Sequence, residues 1–165
     1  MDEQEGNEKM QKRPQNGIRD IEAEVYERRK TIRERIAEIV ESRNLTSYMN
    51  DTKWKEFREA MENEMPFRPP YILKTLFEEE KGEYFSHFTD DVWYLGAYGA
   101  EEFAGLNYKI IEWVKVRPRY YEVKGGRLVQ ERILHDAEAE FVAVLSKYHI
   151  PYEVKDGVYV IYGYR

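Results

Sequence analysis

The sequence predicts an α+β fold: N-terminal helices, then an antiparallel sheet with a helix packed on one face, closed by a C-terminal β-hairpin. Three observations predict it. Apolar residues before residue 45 recur at helical spacing. Beyond Pro70 the periodicity drops toward two. Near the end, two short runs rich in β-branched and aromatic residues are separated by Asp156-Gly157, and Asp and Gly best tolerate the positive φ of a tight hairpin turn.

Residues 1–16 are polar and charged, and they are expected to form a disordered tail ahead of a single α+β domain over 17–165. Ile18, Val25, Ile32 and Ile39 recur every seven residues, with Ile21, Ile36 and Val40 in the same stripe. This spacing predicts a long amphipathic helix over 17–43. The stripe is expected to pack on the domain or on the next helix, with a dimer through this helix as the other option; Arg28 in a seam position argues against a coiled coil. Asn50 or Asp51 is suited to cap a second helix reaching about residue 63, because a short oxygen-bearing side chain satisfies the free amides of a first turn. Trp54, Phe57 and Met61 share one face of it. Met65-Pro66-Phe67-Arg68-Pro69-Pro70 ends it, since proline lacks the amide and restricts the residue before it.

Strands are predicted over 71–77, 92–97, 108–116, 120–123, 152–154 and 158–162, with a turn at Lys124-Gly125-Gly126-Arg127. Residues 131–148 carry Ile133, Leu134, Ala137, Phe141, Val144, Leu145 and Tyr148 at helical spacing, and His149-Ile150-Pro151 ends that helix.

Composition bounds the function. The chain has 165 residues, 42% apolar and 35% charged, enough for one domain with a sizeable core. It has no cysteine, which excludes a disulfide framework, a thiol nucleophile and a sulfur-ligated zinc site, and favours a reducing compartment. Met1 to Met10 lacks the apolar core of a signal peptide, and no apolar run approaches the roughly 20 residues of a membrane span. A cytoplasmic protein with no membrane partner is expected.

Catalytic and cofactor signatures are missing. No glycine-rich loop ends in Gly-Lys-Ser/Thr, Gly96-Ala97-Tyr98-Gly99-Ala100 is a turn-rich loop, and Ser42, Ser47, Ser86 and Ser146 lie outside any nucleophile elbow. His87 with Asp90 and Asp91, or His135 with Glu138 on a helix, bring nitrogen and oxygen ligands together, yet neither makes a recognised ligand motif. His149 reads as a cation at a helix C-terminus. Hence no catalytic residue, metal or cofactor is assigned, and binding is favoured over catalysis, with a small enzyme of unknown class as a further option.

The net charge of −6 hides a dipolar layout, −5 over residues 65–105 and +4 over 106–127. The first stretch predicts a non-catalytic binding or inhibitory module, immunity-type or regulatory, that engages a partner protein. Glu78, Glu79, Glu80, Glu83, Asp90 and Asp91 would supply charge that speeds association with a basic surface, and Phe85, Tyr94 and Tyr98 the aromatic anchors. The second stretch predicts instead a surface for single-stranded nucleic acid or a phosphate-bearing ligand. Here Lys115, Arg117, Arg119, Lys124 and Arg127 would hold phosphates, and Trp113, Tyr120 and Tyr121 would stack on bases. The 14 tyrosines serve either reading, or simply cross-strand packing.

Leu45-Thr46-Ser47-Tyr48-Met49-Asn50-Asp51-Thr52-Lys53-Trp54, Ile111-Glu112-Trp113 and Tyr148-His149-Ile150-Pro151-Tyr152 together resemble an uncharacterised bacterial domain-of-unknown-function family over roughly residues 44–165. The resemblance implies a small bacterial cytosolic protein of accessory or defence-related type, and it carries no catalytic residues across.

Overall fold

A computed structural model of the chain describes residues 23–25, 30–79, 87–88, 92–99 and 101–165, with the backbone alone at 101 and 102. Its internal contacts divide the chain into two units, 1–35 and 36–165. In the first, residues 23–25 are helical but Lys30 and Thr31 are not, and a new helix α1 (Ile32–Ser42) starts behind them. Thr31 Oγ1 accepts from the Glu34 amide at 3.3 Å, while the Thr31 amide donates to Glu34 Oε2 at 2.8 Å. Thr-Ile-Arg-Glu is thus a reciprocal capping box, which sets a helix start inside the stretch that the apolar repeat predicts as one helix over 17–43. The expected tail, and Ile18 and Ile21 of the stripe, lie outside the described residues.

In the second unit, helix α2 (Asp51–Asn63) forms where expected, with the Asn50 side chain accepting from the Lys53 amide at 2.8 Å. A cap of this kind contributes about 1 kcal/mol. Strand β1 (Tyr71–Thr75), a single-turn helix α3 (Glu101–Ala104) and a 3-10 turn (Tyr108–Ile110) precede β2 (Ile111–Val116). A ribbon of β3 (Arg119–Gly126) and β4 (Val129–Asp136) follows, then helix α4 (Glu138–Lys147), β5 (Glu153–Lys155) and β6 (Val158–Tyr162). The main sheet is antiparallel in the order β1-β2-β6-β5, and β3 and β4 pair only with each other. Asp156 and Gly157, both at positive φ, close the predicted C-terminal hairpin between β5 and β6.

Other expected elements differ as well. Residues 131–136, which helical spacing assigns to the start of a helix, lie in β4. Gly125, at φ 112°, lies against the Val129 carbonyl where any Cβ would collide, so the chain turns back tightly and pairs 129–136 with β3. The helical stripe truly begins at Ala137. Residues 92–97 form no strand: Val92 O accepts from Tyr121 N at 2.7 Å and Gly96 N donates to Arg68 O at 3.0 Å, two isolated anchors without a ladder.

One face of the main sheet is the core. Val114 and Val116 of β2 and Tyr159 and Ile161 of β6 join Trp54, Phe57 and Met61 of α2 and Phe141 and Leu145 of α4 in one buried cluster. Tyr98 and Phe103 complete it through edge and tilted contacts to Phe57 at 6.0 and 6.2 Å. Alternation leaves Trp113, Lys115, Val158, Val160 and Tyr162 on the opposite face, each only partly buried.

Candidate anion-binding cleft

The period of two along β2 aims Lys115 away from the helices, and the register sets it opposite Val160 of β6. Its Nζ lies 4.7 Å over the Trp113 ring, so the neighbouring residue on the same face holds the ammonium by a cation–π contact. Partial burial draws the Lys115 pKa below the usual lysine range. Arg117 follows just beyond β2, its amide donating to Pro70 O at 3.1 Å. Lys155 ends β5, and Asp156 begins the tight turn. Together with His87 and Phe88, these residues and Val158 and Val160 line a cleft of about 340 Å³. Among the described residues, the lining brings Lys115, Arg117, Lys155 and His87 together with Asp156 over the apolar Val158 and Val160.

The structure divides the basic segment predicted from sequence. Lys115 and Arg117 reach the cleft, with Trp113 behind Lys115. Arg119 turns toward Gly157, its guanidinium occupying the space a Cβ there would need. Tyr120 stacks on His135 at 4.7 Å and meets Phe67 at 4.8 Å; Tyr121 lies under Arg132 at 4.7 Å; Lys124 pairs with Glu122 at 3.4 Å; and Arg127 sits in the ribbon's turn. Lys155 and His87 take the places of those residues in the cleft. Sequence reasoning missed Lys155, although it adjoins the turn dipeptide, because only the β5–β6 pairing carries it toward β2.

The acidic set is also divided. Glu78 folds back to accept from the Thr75 amide at 2.5 Å, and Glu79 is exposed. Glu80, Glu83, Phe85, Asp90 and Asp91 lie outside the described residues. Tyr94 is 41% exposed and remains available as an anchor, but Tyr98 is fully buried, its hydroxyl donating to Pro69 O at 2.9 Å, so it cannot touch a partner. Burial pushes its phenol well above the ordinary tyrosine range. Trp93, 76% exposed beside Tyr94, is an aromatic that the sequence reading passed over.

His135 and Glu138, expected on one helix face, separate because His135 is in β4. His135 Nε2 lies 2.8 Å from Glu122 Oε2, a hydrogen bond that lowers the Glu122 pKa, and Glu138 accepts instead from Tyr159 OH at 2.7 Å. Burial first, then that bond, pushes the Tyr159 phenol up to about 12. His149 adopts φ 51° behind α4, and its carbonyl accepts from Lys53 Nζ at 2.6 Å. Among the described residues, no three side chains are grouped to hold a metal ion, and no helix is long and apolar enough to cross a membrane.

The segments that carry the family resemblance are mostly architectural. Asn50 caps α2, Lys53 donates to the Tyr148 and His149 carbonyls just beyond α4, and Trp54 fills the core. Glu112 is the odd residue of a β-bulge, since Lys74 pairs with Trp113 but Thr75 with Ile111. Its carboxylate receives Arg43 at 2.6 and 3.0 Å and Lys74 at 2.5 Å, with the Lys74 side chain 5% exposed.

Fold and cleft define an α+β module whose main antiparallel sheet is covered by helices on one face and on the other carries a cleft lined by Lys115, Arg117 and Lys155. The chain belongs to the family described as a family of unknown function (DUF6678), whose model matches residues 36–165. No curated protein and no solved structure matches it.

Proposed function

We propose that the protein is a binding module for a phosphate-bearing ligand seated among Lys115, Arg117, Lys155 and His87. The observation that supports this is the convergence of these four groups, from three stretches of the chain (β2 and the residue just beyond it, the end of β5, and His87), on one cleft with an apolar floor. Guanidinium and ammonium donors hold phosphate oxygens through charge-assisted hydrogen bonds, and Val158, Val160 and Phe88 offer contact to the ligand's uncharged part. A volume of about 340 Å³ suits a small ligand. The cysteine-free composition agrees with a cytoplasmic location. Titration calorimetry with inorganic pyrophosphate and with ATP should show binding that weakens as salt rises. Arg117→Ala and Lys155→Ala should each weaken it about tenfold, the loss of one charge-assisted contact. No heat with either anion, or equal binding by folded variants, would contradict the proposal.

A second reading retains a protein partner. Trp93, Tyr94 and Leu95 are consecutive and 76%, 41% and 41% exposed, the kind of aromatic patch that interfaces bury. A Trp93→Ala/Tyr94→Ala variant should then lose a nuclease-resistant partner that the wild type recovers from native lysate. Equal recovery by both would count against this surface.

A further inference from the structure

A second cleft, of about 140 Å³, is lined by Tyr48, Pro151, Tyr152, Glu153, Tyr162 and Arg165. We propose that it receives an arginine side chain of a partner protein, in the place that the chain's own Arg165 fills in this structure. The chemistry differs from that of the anion cleft and stands independently of it.

The recognition elements are those of a cation site. Three phenol rings and one carboxylate converge, and the quadrupole of each ring presents a negative face. Tyr48 and Tyr152 are 48% and 39% exposed, and the Tyr152 ring leans on the core residue Tyr159 at 5.4 Å while keeping its open side to the cleft. Burial first, then Glu153, holds the Tyr162 phenol above its ordinary range, so its ring stays neutral at physiological pH.

The second observation is that a guanidinium already lies there. The Arg165 Cζ is 5.1 Å from the Tyr162 ring centroid, and its Nη1 pairs with Glu153. A guanidinium therefore satisfies both the stacking surface and the carboxylate, as a planar, delocalised cation does better than a compact ammonium. The hold on it is weak: the side chains of Arg165 and Glu153 are 55% and 52% exposed, and an ion pair this open to water is readily exchanged. The frame around it is firm. Thr46 and Arg165 exchange backbone hydrogen bonds of 2.7 and 3.0 Å, and Tyr48 N donates to Gly163 O at 2.9 Å, so neither depends on the Arg165 side chain. Arg165 acts as a tethered competitor, present at the millimolar effective concentration of a short tether. An incoming arginine must displace it.

The test is an NMR titration of wild type, Arg165→Ala and Arg165→Ala/Glu153→Gln with N-acetyl-arginine methylamide. The citrulline and trimethyl-lysine analogues serve as controls. Removing the competitor should tighten arginine binding several-fold, with shifts at Tyr48, Tyr152 and Tyr162. The double variant should lose that gain, and citrulline, which keeps the shape without the charge, should not bind. If Arg165→Ala misfolds, Arg165→Gln answers the same question. The proposal is overturned if the opened cleft ignores arginine, binds citrulline equally, or prefers trimethyl-lysine.

Discussion

Replacing Glu112 with alanine is expected to destabilise the protein by about 3–5 kcal/mol, the usual cost of breaking a buried ion pair from one side. The loss falls on Lys74, whose side chain is 5% exposed and would be left buried without its carboxylate, and on Arg43, which would lose a two-pronged contact. For a chain of this length the midpoint of thermal unfolding should fall by on the order of 10 °C. The cost belongs to the broken set rather than to the absence of charge, so an Arg43→Met/Lys74→Met/Glu112→Leu variant should recover much of it. Glu112 also gives a pH signature. Burial alone would raise its pKa, but hydrogen bonds from Arg43 and Lys74 outweigh that and hold it below the ordinary glutamate range. A carboxyl depressed in the folded state contributes stability that is full above its unfolded pKa of about 4.3 and is lost as pH falls through the folded value. Melting curves between neutral and acid pH should show this loss in wild type and a flatter profile in Glu112→Gln. A melting point unmoved by Glu112→Ala would show that the triad does not form.

The second large effect is expected at Tyr98. As a core residue in contact with Phe57, Tyr71 and Phe103, it should cost about 3–5 kcal/mol on truncation to alanine. Tyr98→Phe keeps the ring and deprives Pro69 O of its donor, at about 1 kcal/mol or somewhat more. Urea denaturation separates the two. An unchanged midpoint for the alanine variant would return Tyr98 to the surface, where the sequence reading placed it as an anchor.

That misplacement shows where sequence reasoning ran out. Local signals were legible: the Asn50 cap and the extent of α2, the span 158–162 of β6, and the turn at Asp156-Gly157 all follow from short-range chemistry. The start of α4 was not, because Ile133 and Leu134 fit a helical stripe as well as a strand, and the competing signal, Gly125, acts by allowing close approach to Val129. Thr31 and Glu34 were readable as a capping box but lay beneath an apolar repeat that ran through them. The cleft was half legible. Lys115 and Arg117 stand two apart on one face, whereas Lys155 arrives across β6 from some forty positions further along. An aromatic such as Tyr98 looks the same in sequence whether it fills the core or anchors a partner, and only the packing of β1, α2 and α3 decides between them.

The most direct test of the anion cleft is an amide NMR titration of the wild-type protein with inorganic pyrophosphate at low salt. The account predicts saturable shifts concentrated at Lys115, Arg117, Lys155, Val158 and Val160, reversed by added salt. Shifts scattered over the surface, or confined to the β3–β4 ribbon around Lys124 and Arg127, would contradict it.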